Sequence, residues 1–370
     1  MKILQIIYSL SSGGAERFLT DLTNELAKNR NCNITILTIK SEQDSNNLFY
    51  RKELSDNIRF ESLGFFSVNI SIFIKLYKYI KKNKPDIVHI HLSPIIIFCS
   101  LAILLMRKTP FIETLHNEVS RINNSNKIYF FLKRIIYRFD NVKVCTISDK
   151  NAREFKRVYG LNCDALIYNG RKRLEQSEHY SSVQHEIENY KWNKNTIVVT
   201  HIGRCAPQKN QDLLIAGFNN MLNRNKNIIL LIIGNGFESA KGLELKSKAK
   251  PGIFFLGEKH NIQDYLACSD AFCLSSLYEG MPITLIEAIE YGCIPLSTPV
   301  SGITDLIIDE KNGFISKDFT LSAFIDMLEN YIKNRESINR ADLIRLYNQK
   351  LSIESCAQSY YNFYESCLYD

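Results

Sequence analysis

Short runs of β-branched and aliphatic residues alternate along the chain with stretches in which apolar residues recur every three or four positions. In the first half the runs at 3–8, 33–39, 58–63, 86–92, 111–115, 143–147 and 165–168 predict strands. Helical periodicity at 15–28, 70–82 and 127–138 falls between them. Apolar runs bounded by short turns are the mark of parallel strands buried on both faces, and strand–helix alternation implies a doubly wound sheet. The pattern stops at residues 171–195, a polar stretch without strand signal that reads as a linker. A second series of strands follows at 196–202, 228–233, 253–256, 271–274, 294–297 and 313–315, and residues 321–370 read as helices only.

The expected architecture is therefore α/β, with two Rossmann-like doubly wound parallel-sheet domains and C-terminal helices. Residues 1–170 form the first domain, 171–195 the linker and 196–345 the second domain. Residues 346–370 are expected to be a helix packing back on the first. Tandem sheets of this kind are expected to face a cleft at their strands' carboxyl ends, where ligands of such folds bind.

A length of 370 residues suits two domains. Apolar residues make up 45% and charged residues 23%, ordinary globular values that argue against disordered or fibrous classes. The net charge of +7 is unevenly spread. Residues 71–143 hold thirteen Lys or Arg against four acids, a local +9 that leaves about −2 for the rest. The ten cysteines include no Cys-x-x-Cys pair and no zinc spacing, which points to a reducing, cytoplasmic compartment. The longest uncharged apolar segment, 92–106, has fifteen residues, short of the roughly 20 needed to span a bilayer.

Three segments carry candidate chemistry. Gly13 and Gly14 separate the first strand from a helix, so backbone N–H groups at the helix's positive end suit a phosphate, unless they only make a tight turn. After the first strand of the second domain, Gly203 allows a turn while Arg204 and Lys209 emerge at the sheet's carboxyl edge. Two cations there would stabilise charge growing on a leaving diphosphate. The third segment, Leu274 to Ala288, carries Glu279 in a loop, Pro282 at the expected first helical position and Glu287 more than one turn inside the helix. Two carboxylates so spaced could each grip sugar hydroxyls, or Glu279 could simply compensate the helix dipole. Gly234, in Ile233-Gly234-Asn235-Gly236, lines the nucleotide pocket or makes a plain turn.

Together, Gly13-Gly14-Ala15-Glu16-Arg17, Thr114-Leu115-His116-Asn117, Gly203-Arg204 with Lys209, and Glu279-Gly280-Met281-Pro282 with Glu287 resemble a retaining, nucleotide-sugar-dependent glycosyltransferase of the GT-B fold, family 4. The likeness runs from residue 1 to about 345, and the opening is similar to enzymes of bacterial surface-polysaccharide and lipid-linked oligosaccharide synthesis. The resemblance implies that Glu287 accepts from the ribose hydroxyls and Glu279 contacts the donor sugar. Backbone N–H groups of Gly280, Met281, Pro282's neighbours Ile283 and Thr284 would hold sugar and phosphate. Arg204 and Lys209 would bind the diphosphate, Gly14 would approach it from the other domain, and His116 would hydrogen-bond the sugar near the reacting carbon. His89 and His91 are assigned to packing or to the acceptor side.

The resemblance further implies retention without a carboxylate nucleophile, through a front-face transfer in which the leaving phosphate helps deprotonate the acceptor. No Asp-x-Asp motif occurs, so no metal and no other cofactor is expected. The implied partners are a nucleotide-sugar donor, with UDP the expected base, and a saccharide acceptor on polyprenyl diphosphate. Two departures stand out. Asn169-Gly170 continues as Arg171-Lys172-Arg173 where the family often has an acid, and Gly257-Glu258-Lys259-His260 is unusually charged for a loop near the base.

The basic region is expected to meet an anionic membrane surface. Lys75, Lys78, Lys81 and Lys82 share a helix with Ile72, Phe73, Leu76 and Tyr79, while Lys133, Arg134 and Arg138 share one with Tyr129, Phe130, Phe131 and Leu132. A solvated helix face is the alternative; nucleic acid fits poorly, because no binding module is present. Peripheral association with the inner membrane is the expected location. A sugar-nucleotide epimerase, which needs no acceptor, and a non-catalytic sugar-nucleotide-binding subunit share the predicted shape.

Overall fold

The structure is a computed structural model that describes every residue except 30, 44–47, 93, 117, 118, 120–126, 225, 301 and 370, and the side chain of Lys127. Of the expectations above, those touching Asn117, Arg121 and the Lys127 side chain lie outside the described residues. The chain divides into two compact units, Met1–Lys172 with Lys350–Asp370, and Arg173–Gln349.

In the first unit β1 (Lys2–Ile7), α1 (Gly14–Leu26), β2 (Asn33–Lys40), β3 (Arg59–Phe65), α2 (Ser71–Asn83) and β4 (Ile87–His91) come first. There follow α3 (Ile95–Phe98), α4 (Ser100–Leu105), β5 (Phe111–Leu115), α5 (Lys127–Ile136), β6 (Val142–Thr146), α6 (Asp149–Tyr159) and β7 (Ala165–Leu166). The sheet order is β3-β2-β1-β4-β5-β6-β7, with all pairs parallel. The order reverses between β1 and β4, so their carboxyl ends splay apart and leave room for a ligand.

The second unit contains α7 (Tyr180–Tyr190), β8 (Ile197–Ile202), α8 (Gln211–Asn223), β9 (Ile228–Ile233), α9 (Ala240–Lys248), β10 (Ile253–Gly257) and α10 (Ile262–Ala267). It continues with β11 (Ala271–Leu274), α11 (Ile283–Glu290), β12 (Ile294–Ser297), β13 (Phe314–Ile315), α12 (Leu321–Asn334) and α13 (Arg340–Leu346). Its parallel sheet runs β10-β9-β8-β11-β12-β13 and reverses between β8 and β11. Every residue of β8 and β9 is buried; β9 is apolar throughout, while β8 also buries Thr200 and His201.

The stretch 171–195, read as a linker, contains α7, whose Val183 and Ile187 are buried. Four-residue spacing of two aliphatics in an otherwise polar segment is a weak helical signal, and packing against α10 is what gives it a partner. The last helix, α14 (Ile353–Tyr369), belongs to the first unit and packs on α1. Buried Arg171 anchors its start. The Arg171 N–H donates to the Leu351 carbonyl at 2.9 Å, its carbonyl accepts from Ile353 N, and its guanidinium pairs with buried Asp21 at 2.5 Å. Gly170 is needed there, because a Cβ would lie 2.7 Å from the Ser352 carbonyl oxygen. Arg171, the first residue of that departing Arg171-Lys172-Arg173 run, thus has a local partner.

Lys133 does not join the basic surface expected of its helix. It is 1% exposed, and its Nζ lies 3.0 Å from Glu113 Oε1, while the Tyr137 hydroxyl donates to Glu113 Oε2 at 2.8 Å. Glu113 sits in the middle of β5 at 0% exposure, and a carboxylate so buried requires a cation beside it. Arg134 and Arg138 remain exposed on α5 and just beyond it, beside exposed Ile128, Phe131 and Ile135. On α2, Ile72, Leu76 and Ile80 face the core while Lys78, Lys81 and Lys82 are exposed. Among the described residues no helix is long and apolar enough to cross a membrane.

Candidate active site

The candidate residues of the second unit gather where its strand order reverses. Gly203 follows β8 directly, and the loop it begins runs beside the loop after β9. Gly203 N donates to Ile233 O at 2.9 Å and Cys205 N to Asn235 O at 2.8 Å. Gly234 has φ +148°, and a Cβ on it would sit 2.2 Å from the Gly203 carbonyl oxygen, so only glycine lets these loops touch. The Arg204 carbonyl accepts from Gln211 Nε2 at 2.9 Å, which leaves the guanidinium exposed and without an ion pair among the described residues.

Lys209 and Glu279, assigned separately to diphosphate and sugar, meet as an ion pair of 2.7 Å. The same Glu279 oxygen accepts from Ser276 Oγ at 2.7 Å, and the other accepts from Gln208 Nε2 at 3.3 Å. Gln208 also donates to Tyr278 O at 2.9 Å, and its own carbonyl accepts from Leu277 N at 2.8 Å. The Lys209 carbonyl accepts from Ser275 Oγ at 2.8 Å. These bonds stitch the loop after β8 to the loop after β11, neighbours in the sheet. A carboxylate held by three donors is fixed in direction.

Pro282 stands at the N-cap of α11, one residue earlier than expected, with Ile283 and Thr284 in its first turn and Glu287 its fifth residue. Glu279 is 7% and Glu287 3% exposed, and Met281 is buried, its side chain serving the core. Gly280 is pressed by Gly302, a residue the sequence reading did not single out. Gly302 has φ +76°, and a Cβ there would overlap the Gly280 carbonyl oxygen at 1.4 Å. A lone glycine shortly after a strand is the only sequence signal for it.

His201, the fifth residue of β8, is wholly buried beneath this locus. Its Nδ1 lies 2.9 Å from the Cys273 carbonyl, which can only accept, so Nδ1 carries the proton. Burial, aided by the nearby Lys209 charge, lowers its pKa to about 4 against the opposing hydrogen bond, and the ring is neutral at pH 7.

In the first unit, Gly13 is the N-cap of α1 and Gly14 its first residue. The anion expected at this helix start meets a carboxylate already there. Glu16 folds back so that its Oε2 would lie 2.2 Å from a Cβ on Gly13, and Ser11 Oγ donates to its Oε1 at 3.2 Å. Burial raises the Glu16 pKa. The Gly13 N–H is also spent on the Ser11 carbonyl at 2.9 Å. A phosphate arriving here has to displace or share this carboxylate, a competition that glycine spacing alone does not reveal.

His116 immediately follows β5 and is 8% exposed, its ring edge against Phe18 of α1 at a 5.5 Å centroid distance. Its Nε2 lies 3.0 Å from His91 Nδ1. His91 Nε2 reaches Gln5 Oε1 at 2.8 Å, while His89 binds the Tyr364 hydroxyl at 2.6 Å and Thr114 Oγ1 at 2.7 Å. Burial lowers the pKa of all three rings, that of His116 to about 4, so all are neutral at pH 7. His89 and His91 thus form a polar network beneath His116. Gln5 and Tyr364 were missed, since nothing in the sequence relates residues 359 positions apart. Leu92, next after β4, has φ +68°, a strained conformation for a leucine that sits at the reversal of strand order.

Solved structures share this architecture. The Anabaena protein HepE, crystallised with UDP and glucose, superposes with a TM-score of 0.79 over 99% of this chain and all of that one, at 17% identity. Two doubly wound parallel sheets with this order and these neighbours define the GT-B glycosyltransferase fold. Residues 12–171 match the family described as Glycosyltransferase Family 4, and residues 182–345 match Glycosyl transferases group 1. A Campylobacter jejuni alpha-1,4-N-acetyl-D-galactosaminyltransferase acting on GalNAc-alpha-(1->4)-GalNAc-alpha-(1->3)-diNAcBac-PP-undecaprenol is 30% identical over 328 residues, 85% of this chain and 84% of that one. An Escherichia coli UDP-Gal:alpha-D-GlcNAc-diphosphoundecaprenol alpha-1,3-galactosyltransferase is 26% identical across 74% and 75%. The chain belongs to the family 4 type of GT-B glycosyltransferases, and it is a glycosyltransferase.

Proposed function

We propose that the protein moves a hexose or N-acetylhexosamine, with retention, from a UDP-sugar to a saccharide carried on polyprenyl diphosphate, in assembly of a bacterial capsule or O-antigen. The observation that carries this reading is the locus of Arg204, Lys209 and Glu279 on adjoining loops of the second unit. Two cations at one sheet edge suit a diphosphate whose charge grows as the sugar leaves, and the fixed carboxylate suits the sugar's hydroxyls. Glu287, buried in α11, takes the ribose, and backbone N–H groups around Gly280 and Ile283 face sugar and phosphate. His116 contacts the sugar, and the first unit receives the acceptor. The printed activities of the C. jejuni and E. coli relatives support a lipid-linked acceptor, and the latter a UDP donor. Leaving-group stabilisation is the main catalytic term in this reading, with the departing phosphate taking the acceptor's proton. No metal takes part; unchanged turnover in excess EDTA is the expected result.

The acceptor's lipid places the enzyme at the cytoplasmic side of the inner membrane. Exposed Ile74, Leu105, Ile128 and Phe131 alongside Lys78, Lys81, Lys82 and Arg134 support contact with anionic lipid. Helices α2 and α4 pack together, as do α3 and α5, so these residues lie on associated helices.

Thermal unfolding with a panel of UDP-, GDP-, ADP- and dTDP-sugars tests the donor. A UDP-sugar at 100 times its dissociation constant should stabilise the protein by about 2.7 kcal/mol, and Glu287→Ala should abolish the shift. Stabilisation by another nucleotide family alone would refute the UDP assignment. Transfer to polyprenyl diphosphate saccharides, with the product's anomeric configuration read by NMR, tests acceptor and retention together.

A further inference from the structure

His116 Nδ1 is buried and has no hydrogen-bond partner among the described residues. The other ring nitrogen belongs to a line of contacts leading back to the start of the chain, and that line decides which nitrogen holds the proton. Gln5 of β1 donates from Nε2 to the Tyr364 hydroxyl at 3.2 Å, and its Oε1 faces His91 Nε2 at 2.8 Å. An amide oxygen only accepts, so His91 carries its proton on Nε2 and presents a bare Nδ1 to His116. His116 Nε2, at 3.0 Å, is then the donor, and its Nδ1 is a bare lone pair.

The far end of the line agrees with this direction. The Tyr364 hydroxyl receives from Gln5 and gives its single proton to His89 Nδ1, so that His89 Nε2 donates to Thr114 Oγ1. Turning the Gln5 amide over reverses every bond and puts the His116 proton on Nδ1. That arrangement leaves a buried N–H without an acceptor, whereas the first leaves only an unused lone pair, the less costly of the two.

We infer that Gln5 is a positioning residue which, through His91, holds His116 with its proton on Nε2 and its Nδ1 open, so that His116 accepts a hydrogen bond from a sugar hydroxyl and does not donate to diphosphate oxygens. The second half rests on the reading that His116 touches the sugar. Neutrality of the buried rings at pH 7 is consistent with it, since an imidazolium would offer no lone pair.

The test uses the full chain labelled with 15N at histidine rings, where long-range 1H–15N spectra distinguish the two neutral tautomers, with His116→Ala assigning the signal. In the wild type the His116 signal should be that of the Nε2–H form. Gln5→Leu removes the acceptor, and the signal should become a mixture while kcat falls about tenfold and donor KM stays within about twofold. Gln5→Glu keeps an acceptor for His91 and should restore both the tautomer and most of the rate; it also serves if Gln5→Leu folds poorly. An Nδ1–H signal in the wild type, or a signal indifferent to Gln5→Leu in folded protein, overturns the inference. If the tautomer responds as expected but His116→Ala transfers sugar at the wild-type rate, the relay stands as a structural feature and the placement of His116 at the sugar is what fails.

Discussion

Toward the carboxyl end of the first sheet, the polar network joining β1, β4 and β5 is neutral: Gln5, His89, His91 and His116, joined through Thr114 and Tyr364. At the equivalent place in the second sheet, beside β8 and β11, they are charged: Arg204, Lys209 and Glu279. The strand order reverses at both places, so topology does not account for the contrast; the depth of His89 and His91 and the partners given to Glu279 do. His89 and His91 lie within β4 at 0% exposure, where an ion would forfeit its hydration. Lys209 and Glu279 lie on loops past the strand ends, where a pair can keep some water and still be held by Ser276 and Gln208. In the proposed reading, one end reads hydroxyl groups by hydrogen-bond direction and the other manages charge.

The largest expected effect comes from leaving a buried ion unpaired in the first unit. Glu113→Leu strands the Lys133 ammonium and should cost about 3–5 kcal/mol in urea unfolding of the intact protein. Replacing both partners, as Glu113→Leu with Lys133→Met, should recover most of that loss. If the single variant costs under about 1 kcal/mol, the interior of the first unit tolerates an unpaired charge and the contrast fails.

Next is the charged locus itself. Lys209→Ala should lower kcat by about 10²–10³, judged from the loss of one preorganised donor to developing charge. A decline mainly in donor KM would instead mark Lys209 as a ground-state contact.

Acid should separate the two units. A buried histidine with a lowered folded pKa stays neutral in the fold but takes a proton once unfolded. Stability therefore falls as pH drops below the unfolded value near 6.5, and the loss is complete only below the folded value, about 4 for His116 and His201. The first unit contains His89, His91 and His116, the second His201. Hydrogen exchange at pH 5 should show loss of protection in β4 and β5 before β8; simultaneous loss would count against the contrast.

The smallest effect is expected at the surface. Lys82→Ala should weaken sedimentation with vesicles containing anionic lipid by roughly 1 kcal/mol, and higher salt should erase the difference. Equal binding to neutral vesicles would remove charge from the account.

Several features were legible before any coordinates. A strand such as Ile228–Ile233 carries an unbroken apolar run, and the turns holding Gly13, Gly203 and Gly280 follow β1, β8 and β11. A strand's periodicity and a helix's stripe are local properties, so neighbouring residues suffice to predict them. Helix α7 was harder to see because its apolar stripe is two residues, Val183 and Ile187, in a polar background.

The sequence by itself determined the alternation of strands and helices, the two-sheet class and the loops that carry Arg204, Lys209, Glu279 and His116. Only the tertiary structure decided what those side chains meet. It turned Lys133 inward to Glu113, joined Lys209 to Glu279, laid Glu16 over Gly13 and connected Gln5 to His116 through His91. Proton position and charge state depend on burial and on hydrogen-bond partners, and both are supplied by residues distant along the chain.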